Sequence, residues 1–206
     1  AGPMSAAGVD VARGGDDQTV LARRWESWFA PLEKHQGIET PDGASVAGLI
    51  GRALLNGGVA NVDVIGIGAS AFDVSRMQGL HVRAVNFAEG SQATDRSRTL
   101  RFANVRAEAY WTLREGLDPE NGRGIALPDD PELLGDLKAP RWRMTSRGIV
   151  IEDKEEIAKR LGRSPDCGDG VALSWLVQIV ERKHGPLPRQ AFVGGQRTPA
   201  CVYLTG

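Results

Sequence analysis

Val59-Ala60-Asn61-Val62-Asp63-Val64-Ile65-Gly66 is an apolar run of strand-forming residues with a carboxylate set into it. Valine and isoleucine at this density read as a buried strand. A carboxylate in such a place is costly unless something positive compensates it. The same anomaly recurs upstream in Gly8-Val9-Asp10-Val11-Ala12. It recurs downstream in Ser164-Pro165-Asp166-Cys167-Gly168-Asp169-Gly170-Val171-Ala172-Leu173, where Asp166 and Asp169 open an apolar segment. Placements of this kind in three separated runs point to a shared cation, and carboxylate oxygens suit Mg²⁺ or Mn²⁺.

Working outward from these runs, Ala6 to Ala12 reads as a buried strand, turned by Gly14-Gly15-Asp16-Asp17 into a second arm over Gln18 to Arg23. Trp25 to His35 continues the meander. Pro41 opens a helix with Thr40 as its cap and Val46, Leu49, Ile50, Ala53 and Leu54 at helical spacing. After Gly57-Gly58 come the Val59–Ile65 strand, a short helix near Ala71 to Gln78, and a strand over His81 to Phe87. A hairpin meander followed by strand-helix-strand predicts a mixed β-sheet with helices packed on it. Beyond a polar, Arg-rich loop (Gly90 to Arg101), the pattern predicts helices over Asn104–Gly116, Glu132–Leu137, Lys154–Leu161 and Asp169–Lys183. A hairpin of Arg141–Thr145 with Ile149–Glu152 lies between the second and third.

The chain of 206 residues is 41% hydrophobic and 25% charged, enough for one domain with a substantial core. Its net charge of −1 leaves any basic surface local. Cys167 and Cys201 form neither a zinc spacing nor a disulfide framework, and the histidines (His35, His81, His184) have no ligand spacing. No apolar run reaches the roughly 20 residues of a membrane span. Residues 1–4 read as an expression scar, 5–183 as the folded domain, and 184–206 as a Gly/Pro-rich tail.

Blander roles exist for each residue. Asp169 can cap its helix, Asp10 and Asp63 can be strand-end acceptors, and Asp16 and Asp17 are ordinary turn residues, though Asp16 can also reach a metal across the hairpin. Gly66-Ile67-Gly68-Ala69-Ser70-Ala71, with Glu89 downstream, matches a dinucleotide-binding fingerprint. That reading makes the chain a nucleotide-binding oxidoreductase, but it leaves Asp10, Asp166 and Asp169 unexplained. Arg96, Arg98, Arg101, Arg106, Lys138, Arg141, Arg143 and Arg147 are candidates for phosphate contact, or else a solvated surface. The scattered tryptophans read as core. No G-x-S-x-G elbow accompanies a serine.

Gly162-Arg163-Ser164-Pro165-Asp166-Cys167-Gly168-Asp169-Gly170 resembles the C-terminal signature GRSPDxxDA of tailed-phage terminase large subunits. So do Tyr110-Trp111-Thr112-Leu113-Arg114-Glu115-Gly116-Leu117, Ile125-Ala126-Leu127-Pro128, Glu132-Leu133-Leu134-Gly135-Asp136-Leu137 and Ile151-Glu152-Asp153-Lys154-Glu155-Glu156-Ile157. Gly8-Val9-Asp10 and Val62-Asp63-Val64-Ile65-Gly66-Ile67-Gly68 complete an ordered set over roughly residues 8 to 180. Gly170 departs from it, standing where the family usually has alanine.

The resemblance implies an α/β ribonuclease-H-like nuclease domain that cuts concatemeric double-stranded DNA during viral genome packaging. It implies catalytic Asp10, Asp63 and Asp169, two divalent cations (Mg²⁺ or Mn²⁺), Asp166 as an auxiliary ligand and Asp16 as a weaker one. Arg96, Arg98, Arg101, Lys138, Arg141, Arg143 and Arg147 would meet DNA. An N-terminal ATPase domain of the same polypeptide, the portal protein and the small terminase subunit would be partners, in the cytoplasm of an infected bacterium. No G-x-x-x-x-G-K-[ST] loop occurs in these residues, so ATP hydrolysis is not expected of them. A non-catalytic scaffold of the same fold, docking DNA or portal, is the other alternative.

Overall fold

Every residue of strand β1 (Ala6–Asp10) is buried, which a strand tolerates only at the centre of a sheet covered on both faces. The computed structural model, which describes residues 2–12, 14, 17–121 and 124–176, places it there. β1 pairs antiparallel with β2 (Gln18–Trp25) and parallel with β5 (Ala60–Asp63), which pairs parallel with β6 (Val82–Val85). The far edge of β2 is shared by two short strands, β3 (Trp28–Phe29) and β4 (Glu33–Gln36). The sheet is therefore mixed, in the order β3-β2-β1-β5-β6, with β4 also on β2.

Alternation along β1 and β5 decides what each face carries. Ala7, Val9, Ala60 and Val62 point to one side, where they form a core with Val46, Leu49, Ile50 and Ala53 of helix α1 (Gly43–Ala53) and Ala71 of helix α2 (Ile67–Met77). Gly8, Asp10, Asn61 and Asp63 point to the other, toward helix α6 (Asp166–Trp175). There the backbones nearly touch: a methyl group on Gly8 would lie 2.0 Å from the Gly170 carbonyl oxygen and 2.4 Å from the Ser174 nitrogen. Asn61 Nδ2 donates to the Leu173 carbonyl at 2.8 Å, and Arg24 Nε to that of Ser174 at 3.2 Å, so α6 is fastened to β5 and β2 as well.

Around α6 pack α3 (Val105–Leu117), capped by the Asn104 side chain on Ala107 N, and α4 (Pro131–Lys138), capped by Asp130 with Pro131 at its first position. A separate hairpin, β7 (Trp142–Thr145) with β8 (Gly148–Ile151), leads into α5 (Lys154–Leu161). Gly162, in the left-handed region at φ 75°, ends α5 and turns the chain toward α6.

The order of strands and helices follows the sequence reading, with local differences. The expected third meander segment breaks into β3 and β4. Thr40 does not cap α1; Asp42 does, accepting from Ser45 N, while Thr40 bonds Thr19 inside the sheet edge at 2.8 Å. Helix α2 begins four residues before Ala71, and α6 begins at Asp166 rather than Asp169, so both aspartates lie in its first turn. Trp28 and Trp142 are 50% and 52% exposed, not core. The predicted tail and the end of the last predicted helix, with His184 and Cys201, lie outside the described residues. Among those described, no helix is long and apolar enough to cross a membrane.

Candidate metal centre

The pairing Val9↔Val62 aligns the carboxyl ends of β1 and β5, so Asp10 and Asp63 leave the sheet side by side on the face that α6 covers. Asp166 and Asp169, three apart on α6, turn toward the same point. The four line one cleft of about 580 Å³, whose wall also includes Phe87, Arg106, Lys154 and Arg163. The helix N-terminus that carries Asp166 and Asp169 favours negative charge.

Lys154 occupies the point of convergence. Its ammonium lies 2.9 Å from Asp10 Oδ2, 3.0 Å from Asp166 Oδ1 and 3.2 Å from Asp169 Oδ2. Asp169 is almost wholly buried, and its other oxygen, Oδ1, receives Arg106 Nη1 at 2.6 Å and the Tyr110 hydroxyl at 2.7 Å. Asp166 Oδ2 accepts from Gln18 N at 3.0 Å, and Ser164 donates to Oδ1. Asp63 stands slightly apart, half-buried, accepting from Ile65 N at 3.1 Å.

Burial, reinforced by the charges of Asp169 and Asp166 and opposed by Lys154, pushes the Asp10 carboxyl up to about 8. Burial also works against the charge on Asp169, but Arg106, Lys154 and the Tyr110 hydroxyl together hold it below the usual carboxylate range. Burial raises Asp63 too. Lys154 is kept protonated: burial opposes its charge, and Asp10, Asp169 and Asp166 outweigh it.

This donor set fits hard divalent cations. The four carboxyl groups line the cleft with Lys154, Arg106 and Arg163, and Arg163 is itself engaged by Asp136 outside the cluster. Three of the four carboxyl groups are already drawn around an ammonium in the manner of ligands around an ion. Among the described residues no three Asp, Glu, His or Cys side chains are disposed to hold a metal as they stand.

The structure thus brings Asp10, Asp63, Asp166 and Asp169 together. Asp16 lies outside the described residues. Arg96, Arg98, Arg101, Lys138, Arg141, Arg143 and Arg147 are all exposed, but Arg106, grouped with them in the sequence, is instead buried against Asp169 on α3. Sequence reasoning missed Lys154, which looked like the first residue of a solvated charged helix, and Tyr110, which looked like plain core. The glycines of the dinucleotide-like run have structural work: Gly66 adopts φ 74° before α2, and a methyl on Gly68 would fall 1.8 Å from the Asp63 carbonyl oxygen.

The strand order, with antiparallel β1–β2, parallel β1-β5-β6 and carboxylates at the ends of β1 and β5, defines a ribonuclease-H-like domain. Within that class the chain is similar to the nuclease domain of the large terminase subunit gp2 of bacterial virus Sf6. The two share 18% identity over 84% of this chain and 88% of that one, with a TM-score of 0.65. A mutant of the same Sf6 protein solved with calcium gives a TM-score of 0.66 at 18% identity and the same coverage. The large terminase nuclease from thermophilic phage G20c, with bound magnesium, gives 0.51 at 17% identity, covering 84% of this chain and 80% of that one. At these identities the likeness is one of fold. No family model and no curated protein matches the chain.

Proposed function

We propose that this domain is the nuclease of a viral DNA-packaging terminase, an endonuclease that hydrolyses phosphodiester bonds of concatemeric double-stranded DNA. The observation that carries this reading is the set of four carboxylates, delivered by the carboxyl ends of β1 and β5 and by α6 to one cleft, three of them gathered around a cation, on a fold shared with phage terminase nuclease domains.

Asp10, Asp63 and Asp169 would hold Mg²⁺ or Mn²⁺, with Asp166 completing the donor set and Asp16 a further candidate. Bound there, two such ions would supply charge neutralisation at the phosphate and Lewis acidity toward the attacking water. The chain's own residues provide the rest. The rigid ends of β1 and β5 fix the spacing of Asp10 and Asp63. Lys154 keeps the carboxylates assembled against their mutual repulsion. Arg96, Arg98, Arg101, Lys138, Arg141, Arg143 and Arg147 would receive the DNA backbone, giving weak sequence preference and steep salt dependence. The N-terminal ATPase domain, portal protein and small terminase subunit would be its partners in the cytoplasm of the infected bacterium. The oxidoreductase alternative loses its support once Gly66 and Gly68 are accounted for by the β5–α2 turn.

The test is incubation with supercoiled plasmid and Mn²⁺ or Mg²⁺, beside Asp63→Asn and an EDTA control. Nicking and linearisation that need metal and vanish in the variant are expected. A folded protein that leaves plasmid intact with both metals, yet still binds it, would point to the scaffold instead.

A further inference from the structure

Asp169 has two oxygens in different hands. Oδ1 takes both the Arg106 guanidinium, at 2.6 Å, and the Tyr110 hydroxyl, at 2.7 Å; Oδ2 is turned to Lys154 at 3.2 Å. Both partners of Oδ1 sit one turn apart on α3, and the Arg106 guanidinium lies 4.9 Å over the Tyr110 ring and 5.6 Å over that of Phe87. The pair is thus held before it touches Asp169. Tyr110 is fixed from behind as well: a methyl on Gly168 would meet its hydroxyl oxygen at 3.1 Å and Asp136 Cβ at 3.0 Å, so the hydroxyl reaches Asp169 through a gap that only glycine leaves. Asp136, fully buried, accepts from Gly168 N at 3.1 Å and pairs with Arg163 at 2.6 Å, which fixes that turn of α6.

We propose that Tyr110 and Arg106 are positioning residues that consume one oxygen of Asp169 and present the other, singly, to a cation in the cleft. This rests on the nuclease reading above. A carboxylate free to rotate would offer both oxygens to one ion or swing away. With Oδ1 occupied by two donors, only Oδ2 is available, and its direction is set. Partners that orient a ligand in this way typically contribute about 10–100-fold to metal affinity.

The test is Mn²⁺ binding in the absence of DNA, followed by electron paramagnetic resonance or calorimetry. Wild type is compared with Tyr110→Phe, which keeps the ring and its contact with Arg106, and with Gly168→Ala, which keeps the hydroxyl but crowds it. Tyr110→Phe is expected to bind Mn²⁺ about tenfold more weakly, in a metal-free form that stays folded at a lowered unfolding temperature, because Asp169 loses one of its buried donors. Its plasmid-cleavage rate should recover at high Mn²⁺, with the KM for DNA unmoved. Gly168→Ala should weaken Mn²⁺ binding in the same direction. Wild-type Mn²⁺ affinity in Tyr110→Phe would overturn the proposal. So would Gly168→Ala binding Mn²⁺ like wild type, because the hydroxyl would then serve packing alone. A wild-type protein that binds no Mn²⁺ at all would instead sink the nuclease reading on which the proposal stands.

Discussion

At the scale of single residues, the cluster around Lys154 is a balance of charge against burial. Lys154 is about one-third exposed, so its interactions are partly screened. Lys154→Ala should lower the stability of the metal-free domain by about 1–2 kcal/mol, less than the cost of breaking a fully buried pair. Mn²⁺ should restore it, as read by thermal unfolding with and without the ion; a loss that Mn²⁺ leaves untouched would assign Lys154 to packing. Asp10 gives a pH signature. Its carboxyl is raised from 3.8 to about 8, so between those values the folded protein keeps a proton that the unfolded chain has released. Stability from this group is full below pH 3.8 and is lost as pH rises toward about 8. Metal-free unfolding measured across that window should therefore show declining stability, and Asp10→Asn should flatten the decline. The carboxylates were legible in the sequence because a charge inside an apolar run is anomalous wherever it occurs. Lys154 was not, since its partner Asp10 lies 144 residues away and nothing local distinguishes it from the other charges of α5.

At the scale of elements, α6 is the part on which the site depends, and glycines decide how close it comes. Gly8→Ala should destabilise by about 3 kcal/mol or more, because the obstructing atoms are backbone and cannot step aside. Gly170→Ala is the contrasting case: the added methyl would meet Val20 Cγ1 at 3.2 Å, a side chain able to yield slightly. Better helix propensity, worth up to about 1 kcal/mol, offsets that contact. Chemical denaturation should place this variant within about 1 kcal/mol of wild type with cleavage intact. The glycine that departs from the terminase pattern is thus compatible with the site. At the start of α5, Glu152 grips Arg160 through two contacts of 2.7 and 2.6 Å, which hold its carboxyl down at about 2. That pairing contributes above pH 4.5 and is lost as pH falls toward 2. The difference in melting temperature between wild type and Glu152→Gln should shrink to nothing over that interval. Helix existence was readable from periodicity, and the expected start at Asn104 lies one residue before α3, where the Asn104 side chain caps it. The start of α1 was misread at Thr40 because a threonine and an aspartate two residues apart are equally good caps, and only the fold gives Thr40 its partner Thr19.

At the scale of the whole molecule, the mixed sheet was legible because a meander followed by strand-helix-strand permits few arrangements. The cleft was not, because its walls come from β1, β5, α3, α5 and α6, and convergence over such separations leaves no periodic trace. The exposed basic residues extend from the loop before α3 to the hairpin of β7 and β8, well spread in the sequence. If they carry the DNA backbone, replacing Arg141 and Arg143 together should weaken binding to all sequences alike. It should also reduce the slope of log affinity against log salt by about 1–2. An unchanged slope in a fluorescence-anisotropy titration would remove the hairpin from the DNA-binding surface.

The ammonium at the centre of the acidic cluster has one more consequence. Many small metalloproteins are unfolded until their ion arrives, so that chelation and denaturation are the same event. Here an internal counter-ion already occupies the junction of β1, α5 and α6. With that ammonium in place, a chelator should leave the circular dichroism of this domain intact, and on the nuclease reading it should abolish plasmid cleavage in a way that added Mn²⁺ reverses.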